Sequence, residues 1–325
     1  MLLVRSLKHY HFSRDNESLR EENPDIALTI GNFDGLHEGH RAVLGALLRE
    51  ARKRKLKAAV MCFEPQPKEF FQKETPARLS RFRDKFLGFR DLGIEIMFCL
   101  RFNSELASVS PGDFVFNILS REMHVRYLVV GDDFRFGRFG LGDYAFLRQA
   151  GHEAGFATES LKSFVKLNDR VSSTLIRKCL EEGRLEEARV LLGRDYTIAG
   201  KVCHGQELGR TINFPTANIN LKRRVVPVSG VYAVRARLPD GIQRNGIANV
   251  GIRPTVDGRV PRLEVFILDY SGDLYRQEIQ VSFLKKLRDE RKFASLNELK
   301  EQIVQDELLA RDFFSRLEQK TPCRI

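Results

Sequence analysis

The feature that most limits how this 325-residue chain can fold is a change of hydrophobic period near residue 185. Before it, short runs rich in β-branched and aromatic residues (Ile26–Ile30, Lys57–Phe63, Ile94–Leu100, Tyr127–Val130 and Ala157–Leu161) alternate with stretches of helical spacing. Such alternation predicts a parallel sheet with crossover helices, an α/β domain. Within His40–Lys55, Val43, Leu44, Leu47, Leu48 and Ala51 recur on one helical face, and the basic run Arg52–Lys55 suits the negative end of a helix dipole. Helices are also expected over Arg78–Leu92 and, behind Ser110-Pro111-Gly112, over Asp113–Met123. Two short helices, Ser172–Glu182 and Leu185–Leu192, are separated by Gly183. Beyond Gly193 only strand patterns remain, over Tyr196–Cys203, Val231–Leu238, Arg244–Val250, Leu263–Asp269 and Glu278–Phe283. Their spacing predicts a small β-barrel, followed by a closing helix over Leu296–Leu317. Domains of residues 1–185 and 186–325 follow.

Composition narrows the function classes. No run of 18 apolar residues and no charged-then-apolar leader occurs, so neither a membrane span nor a signal peptide is expected, and the chain reads as cytoplasmic. Its five cysteines stand singly without a CxxC pair, which fits neither a disulfide framework nor a zinc site. Lys and Arg outnumber Asp and Glu by 54 to 43, and the excess is spread over both halves. That balance suits anionic ligands such as nucleotides, and leaves a nucleic-acid-binding protein as the rival reading.

The strand Ile26–Ile30 runs through Gly31-Asn32-Phe33-Asp34-Gly35-Leu36-His37-Glu38-Gly39-His40 straight into the first helix. A glycine-rich turn at a helix N-terminus favours bound phosphate, and two histidines three residues apart can aim at one anion. A tight βα turn with surface histidines is the plain alternative. The pair is one residue too close for a zinc-protease HExxH, and GxxxxGK[ST] is missing, so ATP chemistry here needs another device.

Gly31–His40 resembles the HxGH signature of nucleotidyltransferases. Gly131-Asp132-Asp133-Phe134-Arg135-Phe136-Gly137 and Arg170–Arg177 resemble segments of the bacterial bifunctional riboflavin kinase/FAD synthetase family. In the second half, Gly209–Asn218 is similar to that family's GRT-x-GFPTAN segment, and Leu263-Glu264-Val265 to its catalytic-Glu strand. The resemblance spans nearly the whole chain. It implies a Rossmann-like nucleotidyltransferase domain that adenylylates FMN, then a β-barrel domain that phosphorylates riboflavin, each using ATP and Mg²⁺. Small-molecule substrates are expected, with no nucleic acid or membrane partner, and homo-oligomerisation is left open.

The resemblance also distributes roles. His37 and His40 would stabilise charge during adenylyl transfer, with no covalent enzyme intermediate. Gly31, Phe33, Asp34, Gly39, Arg170, Ser173, Thr174 and Arg177 would bind ATP phosphates, although a Ser-Ser-Thr run at a helix start can also simply cap it. Asp133 would touch nucleotide or flavin; as an Asx-turn residue it could equally serve its own backbone. Gln66 stands where the family commonly has the His of Pro-His-Pro, and Asn213 where it has Gly. In the kinase half the resemblance assigns Gly209 and Arg210 to ATP, Thr216 and Asn218 to Mg²⁺, Asn249 and Arg288 to flavin or nucleotide, and Glu264 to the catalytic base. Glu264 alternates with Phe266 and Leu268, a lone carboxylate on an apolar stripe, and a solvated strand end is its bland explanation.

Overall fold

The computed structural model describes residues 1–7, 24–72, 76–204, 214–221, 225–255 and 258–320. Gly209, Arg210 and Asn213 therefore lie outside the described residues. Two compact units emerge: Met1–Pro76 with Ser80–Ser172, and Ala77–Leu79 with Ser173–Ile325. The division falls upstream of the expected 185/186 boundary because helices α3 (Ser173–Glu181) and α4 (Leu185–Leu192) pack on each other, and α4 packs on strands of the barrel. Ala77–Leu79 joins the second unit, where Arg177 Nε donates to the Ala77 carbonyl at 2.6 Å.

The first unit holds a six-stranded parallel sheet built from β1 (Leu2–Val4), β2 (Ile26–Ile30), β3 (Lys57–Glu64), β4 (Ile96–Arg101), β5 (Val125–Gly131) and β6 (Ala157–Leu161), in the order β1-β4-β3-β2-β5-β6. All five residues of β2 are buried, as expected of a central strand covered on both faces. The order reverses between β2 and β5, so their carboxyl ends diverge and leave the crevice where α/β sheets bind ligands. Helix α1 (Glu38–Arg54) starts with Glu38 and ends with Arg52, Lys53 and Arg54, and it buries Leu44, Ala46, Leu47 and Ala51. Helix α2 spans Phe82–Leu92 and stops at Gly93, whose φ of 91° closes it. Over Phe114–Glu122 the chain winds as a π-helix rather than the expected α-helix, with Met123 N–H donating to Ile118 O, five residues back, at 3.0 Å.

The second unit is a closed antiparallel barrel of β9 (Tyr196–Cys203), β10 (Ala217–Asn220), β11 (Gly230–Arg237), β12 (Gln243–Thr255), β13 (Gly258–Ile267) and β14 (Glu278–Arg288), in the order β10-β13-β12-β11-β14-β9. Between the two units in sequence, β7 (Val165–Lys166) and β8 (Asp169–Arg170) form a small hairpin that belongs to the first. Helix α5 (Leu296–Lys320) covers part of the barrel wall: Ala310 and Phe314 are buried with Val231, Ala233, Ile247 and Leu268.

Candidate active sites

In the first unit the site is built on the turn between β2 and α1. Three left-handed positions shape it, Phe33, Gly35 and Leu36, with φ of 49°, 87° and 43°. A non-glycine residue adopts that region only when surrounding contacts enforce it. Asp34, 1% exposed, supplies much of the enforcement: its Oδ1 accepts from Ser80 N at 3.0 Å and Ser80 Oγ at 3.2 Å, while Gly35 N–H donates to the same Oγ at 3.0 Å. The Asp34 carboxylate is thus directed at Ser80 and holds the loop in place.

His37 caps α1, its Nδ1 accepting from the backbone N–H of His40 at 3.3 Å. In neutral His37 the ring proton consequently resides on Nε2. The His37 and His40 rings stack at 3.6 Å with 15° between planes, and Phe33 flanks His40 at 5.2 Å. His40 Nδ1 is buried without a hydrogen-bond partner among the described residues. Burial, then the neighbouring His37 and the Lys85 ammonium, hold the His40 pKa well below the usual histidine range. Gly39 is needed for close approach: a Cβ there would sit 3.3 Å from the His37 ring and 3.5 Å from Val171 O. The pair is therefore two imidazoles in van der Waals contact, oriented by a helix cap, with His40 held toward its neutral form.

Across the crevice, Asp133 follows β5. Arg170 on β8 reaches Asp133 Oδ2 at 2.7 Å and Asp132 Oδ1 at 3.7 Å, so two expected ligand-binding residues meet each other. Both are well exposed, and a phosphate could displace that pairing at little cost. Asp132 is held by Ser163 N and Oγ; these bonds to Ser163 hold its carboxyl below the usual carboxylate range. Lys166 Nζ stands 3.7 Å from Glu38, tying the hairpin to the first turn of α1. Ser173, Thr174 and Arg177 occupy the first turns of α3, in the second unit.

Sequence reasoning did not find a cavity of about 480 Å³ beside this turn, lined by seven phenylalanines that include Phe63, Phe102 and Phe134. Those three lie at or just beyond the carboxyl ends of β3, β4 and β5, and that repetition was the available signal. Gln66 is buried nearby in sequence, at the start of the short helix Pro67–Phe71, with Nε2 unpartnered. Lys85 was also missed: it is 1% exposed on α2, with Nζ 3.4 Å from Asn32 O.

In the barrel the strand register assembles the second site. Asn218 on β10 faces Glu264 on β13, Glu264 faces Asn249 on β12, Asn249 faces Val231 on β11, and Val231 faces Arg288 on β14. Four of the expected residues therefore lie in one row across five strands, and direct partners in such a row keep Cβ atoms roughly 4.5–5.5 Å apart. Glu264 shares its face with Phe266, which packs edge-on to Phe214 at 5.2 Å, whereas Leu263 and Val265 are fully buried on the opposite face. The Glu264 carboxylate makes no hydrogen bond to a described residue. Arg288 forks onto Asp306 of α5 at 2.8–3.1 Å, and Gln302 Nε2 donates to the same carboxylate at 2.9 Å. Its guanidinium therefore docks the helix.

Thr216 and Asn218 line a cavity of about 490 Å³ whose rim includes His204 and the segment Tyr270–Tyr275. The His204 ring lies tilted against Tyr275 at 3.9 Å. Asn218 Nδ2 donates to Thr216 O at 3.4 Å, which leaves the amide oxygen and the Thr216 hydroxyl as hard oxygen donors of the kind Mg²⁺ prefers. Among the described residues no helix is long and apolar enough to cross a membrane.

Comparison with known proteins agrees with this division. The family model described as FAD synthetase matches residues 19–175, and that described as riboflavin kinase matches residues 192–314. A protein of Escherichia coli K12 named bifunctional riboflavin kinase/FMN adenylyltransferase is 49% identical over 88% of this chain and 92% of its own length. One of the same name from Pseudomonas fluorescens is 45% identical over 96% and 97%. A solved structure from Streptococcus pneumoniae, named macrolide-efflux protein, superposes with a TM-score of 0.80 at 28% identity, covering 95% of this chain and 98% of its own.

Proposed function

Because the chain belongs to the bifunctional riboflavin kinase/FMN adenylyltransferase family, we infer that its barrel unit phosphorylates riboflavin to FMN and its α/β unit adenylylates FMN to FAD. The observation that carries this reading is that each unit has its own constellation on its own scaffold, the stacked histidines on the β2–α1 turn and the Asn218–Glu264–Asn249 row on the barrel. Riboflavin, FMN and ATP are the partners, neither reaction calls for nucleic acid or a membrane, and both belong in the cytoplasm.

In adenylyl transfer an FMN phosphate oxygen bonds to the α-phosphorus of ATP while the bond to the bridging oxygen breaks, and pyrophosphate leaves. No proton need move. Charge gathers on the α-phosphoryl oxygens and the leaving group, so donors already in place are what lowers the barrier. His37, with its proton on Nε2, and His40 are assigned that task. Gly31, Phe33 and Gly39 let the backbone approach phosphate, and Arg170, Ser173, Thr174 and Arg177 are assigned to the triphosphate. The phenylalanine-lined cavity suits the flat, largely apolar isoalloxazine ring, and Asp133 directly precedes its lining residue Phe134.

In phosphoryl transfer the riboflavin 5′-hydroxyl attacks the γ-phosphorus, ADP leaves, and Glu264 accepts the hydroxyl proton. Asn249 sits beside Glu264 to orient the hydroxyl or flavin. Thr216 and Asn218 would hold Mg²⁺, which supplies charge neutralisation to the ATP phosphates when bound. The test is separability. His37→Ala should lower FAD formation from supplied FMN by about 10²-fold or more and leave riboflavin phosphorylation intact, while Glu264→Gln should do the reverse. Loss of both activities in either folded variant would sink the assignment.

A further inference from the structure

Lys85 is a buried cation that forms no ion pair with a carboxylate among the described residues. It shares the inner face of α2 with Phe89, is 1% exposed, and among the described residues makes one side-chain hydrogen bond, to Asn32 O at 3.4 Å. Lysine is almost never fully buried unless paired, because an ammonium taken out of water loses its hydration. Phe89, one turn on along α2, meets Phe33 edge-on at 5.3 Å, and the Lys85 charge, together with that of Glu64, acts on the buried thiols Cys62 and Cys99. The long Asn32 bond alone does not offset that loss.

The peptide that Lys85 holds explains the arrangement. Asn32–Phe33 is trans, so with the Asn32 carbonyl turned toward Lys85 the Phe33 N–H points the opposite way. That N–H donates to no protein group among the described residues, although Phe33 is only 2% exposed and its φ is 49°. A buried, unpaired backbone donor on a strained residue calls for a partner that is not protein. It lies one residue beyond Asn32 and four before His37, inside the turn assigned above to phosphate.

We propose that Lys85 is a positioning residue for adenylyl transfer: through the Asn32 carbonyl it locks the Asn32–Phe33 peptide so that the Phe33 N–H is presented to a phosphate oxygen of ATP, whose negative charge in turn compensates the buried ammonium. The inference rests on the adenylyltransferase reading of this unit. The same charge works against protonating His40. A bound nucleotide phosphate supplies negative charge opposite the Lys85 ammonium. Replacing it with an apolar residue of similar volume should leave the fold as stable or more so while weakening the reaction, the opposite of what a purely structural lysine would give.

The experiment compares wild type, Lys85→Met and Lys85→Gln in full-length protein, measuring FAD formation at varied ATP and FMN, riboflavin phosphorylation in the same chain, and the thermal unfolding midpoint. Lys85→Met is expected to lower kcat/KM for ATP in FAD formation at least tenfold, with KM for FMN and the kinase rate within twofold and the midpoint not lowered. Lys85→Gln, which keeps an N–H for Asn32 O, is expected to recover at least threefold over the methionine variant. FAD formation within twofold of wild type in Lys85→Met, a lowered midpoint matching the lost activity, or a glutamine variant no better than methionine would each overturn the role. A wild type that makes no FAD from FMN and ATP would instead overturn the functional reading itself, and Lys85's role with it.

Discussion

Gly39→Ala separates geometry from stability at the histidine pair. The substitution adds one methyl group, placed 3.3 Å from His37 Cε1 and Nδ1 and 3.5 Å from Val171 O, so the imidazole must yield by a few tenths of an ångström. The His40 N–H to His37 Nδ1 cap is already 3.3 Å long and lengthens further. Weakening that cap costs about 1 kcal/mol at most, and alanine in place of a helical glycine returns up to about 1 kcal/mol. The two nearly cancel, so the unfolding free energy should stay within about 1 kcal/mol of wild type. Catalysis is less forgiving, since a misplacement of about 1 Å can cost about 10²-fold. A displacement of tenths of an ångström at a stacked, donor-bearing ring should therefore lower kcat for FAD formation by about 10-fold or somewhat more. The assay is initial-rate FAD formation from FMN and ATP, with riboflavin phosphorylation by the same sample as the folding control. Unchanged FAD formation in Gly39→Ala would refute the claim that His37 works from the position its cap defines.

Other perturbations follow from the same geometry. The depressed His40 pKa means that the unfolded chain binds a proton there before the folded one does, so its contribution to stability is intact above the unfolded value of about 6.5 and is lost as pH falls below it. Urea unfolding at pH 7.5 and 5.5 should show a smaller loss in His40→Asn than in wild type; equal losses would contradict the assignment. Asp306→Ala strands the Arg288 guanidinium at the α5–barrel junction, where Asp306 is 2% exposed. It should cost about 3 kcal/mol in urea unfolding followed by far-UV circular dichroism, and less than about 1 kcal/mol would show that the pair does not dock the helix.

Local patterning made the two-unit plan and most elements visible. Central strands such as Ile26–Ile30 announce themselves because burial on both faces demands an unbroken apolar run, and Tyr196–Cys203 does so by alternation. Strand β10 was hidden because Ala217–Asn220 follows Pro215-Thr216 and reads as a turn; it is a strand because β13 and β9 both pair with it and close the barrel. Strand β1 is three residues long, too short for any period to register. Helix α2 begins at Phe82, later than the expected Arg78, because Ser80 is engaged by Asp34 and Arg81 becomes the cap.

The sites divide in the same way. A glycine-rich turn feeding a helix is a local pattern, and so the His37–His40 stretch was legible. The row joining Asn218, Glu264, Asn249 and Arg288 exists only through the register of strands far apart in sequence, which no local pattern encodes. Lys85 sits in Arg81-Phe82-Arg83-Asp84-Lys85, which reads as a solvated charged face, and its burial is decided by the turn it packs beneath. Nothing in the sequence announces the fork of Arg288 onto Asp306, which joins a strand to a helix.

The most direct test of the whole account is a time course in which the purified wild-type chain is incubated with riboflavin, ATP and Mg²⁺, and riboflavin, FMN and FAD are separated chromatographically. The account predicts that FMN rises first and FAD follows at its expense, with ADP and pyrophosphate as co-products. FMN that accumulates without FAD would contradict the histidine turn as a working adenylyl-transfer site, and the absence of both products would contradict the account as a whole.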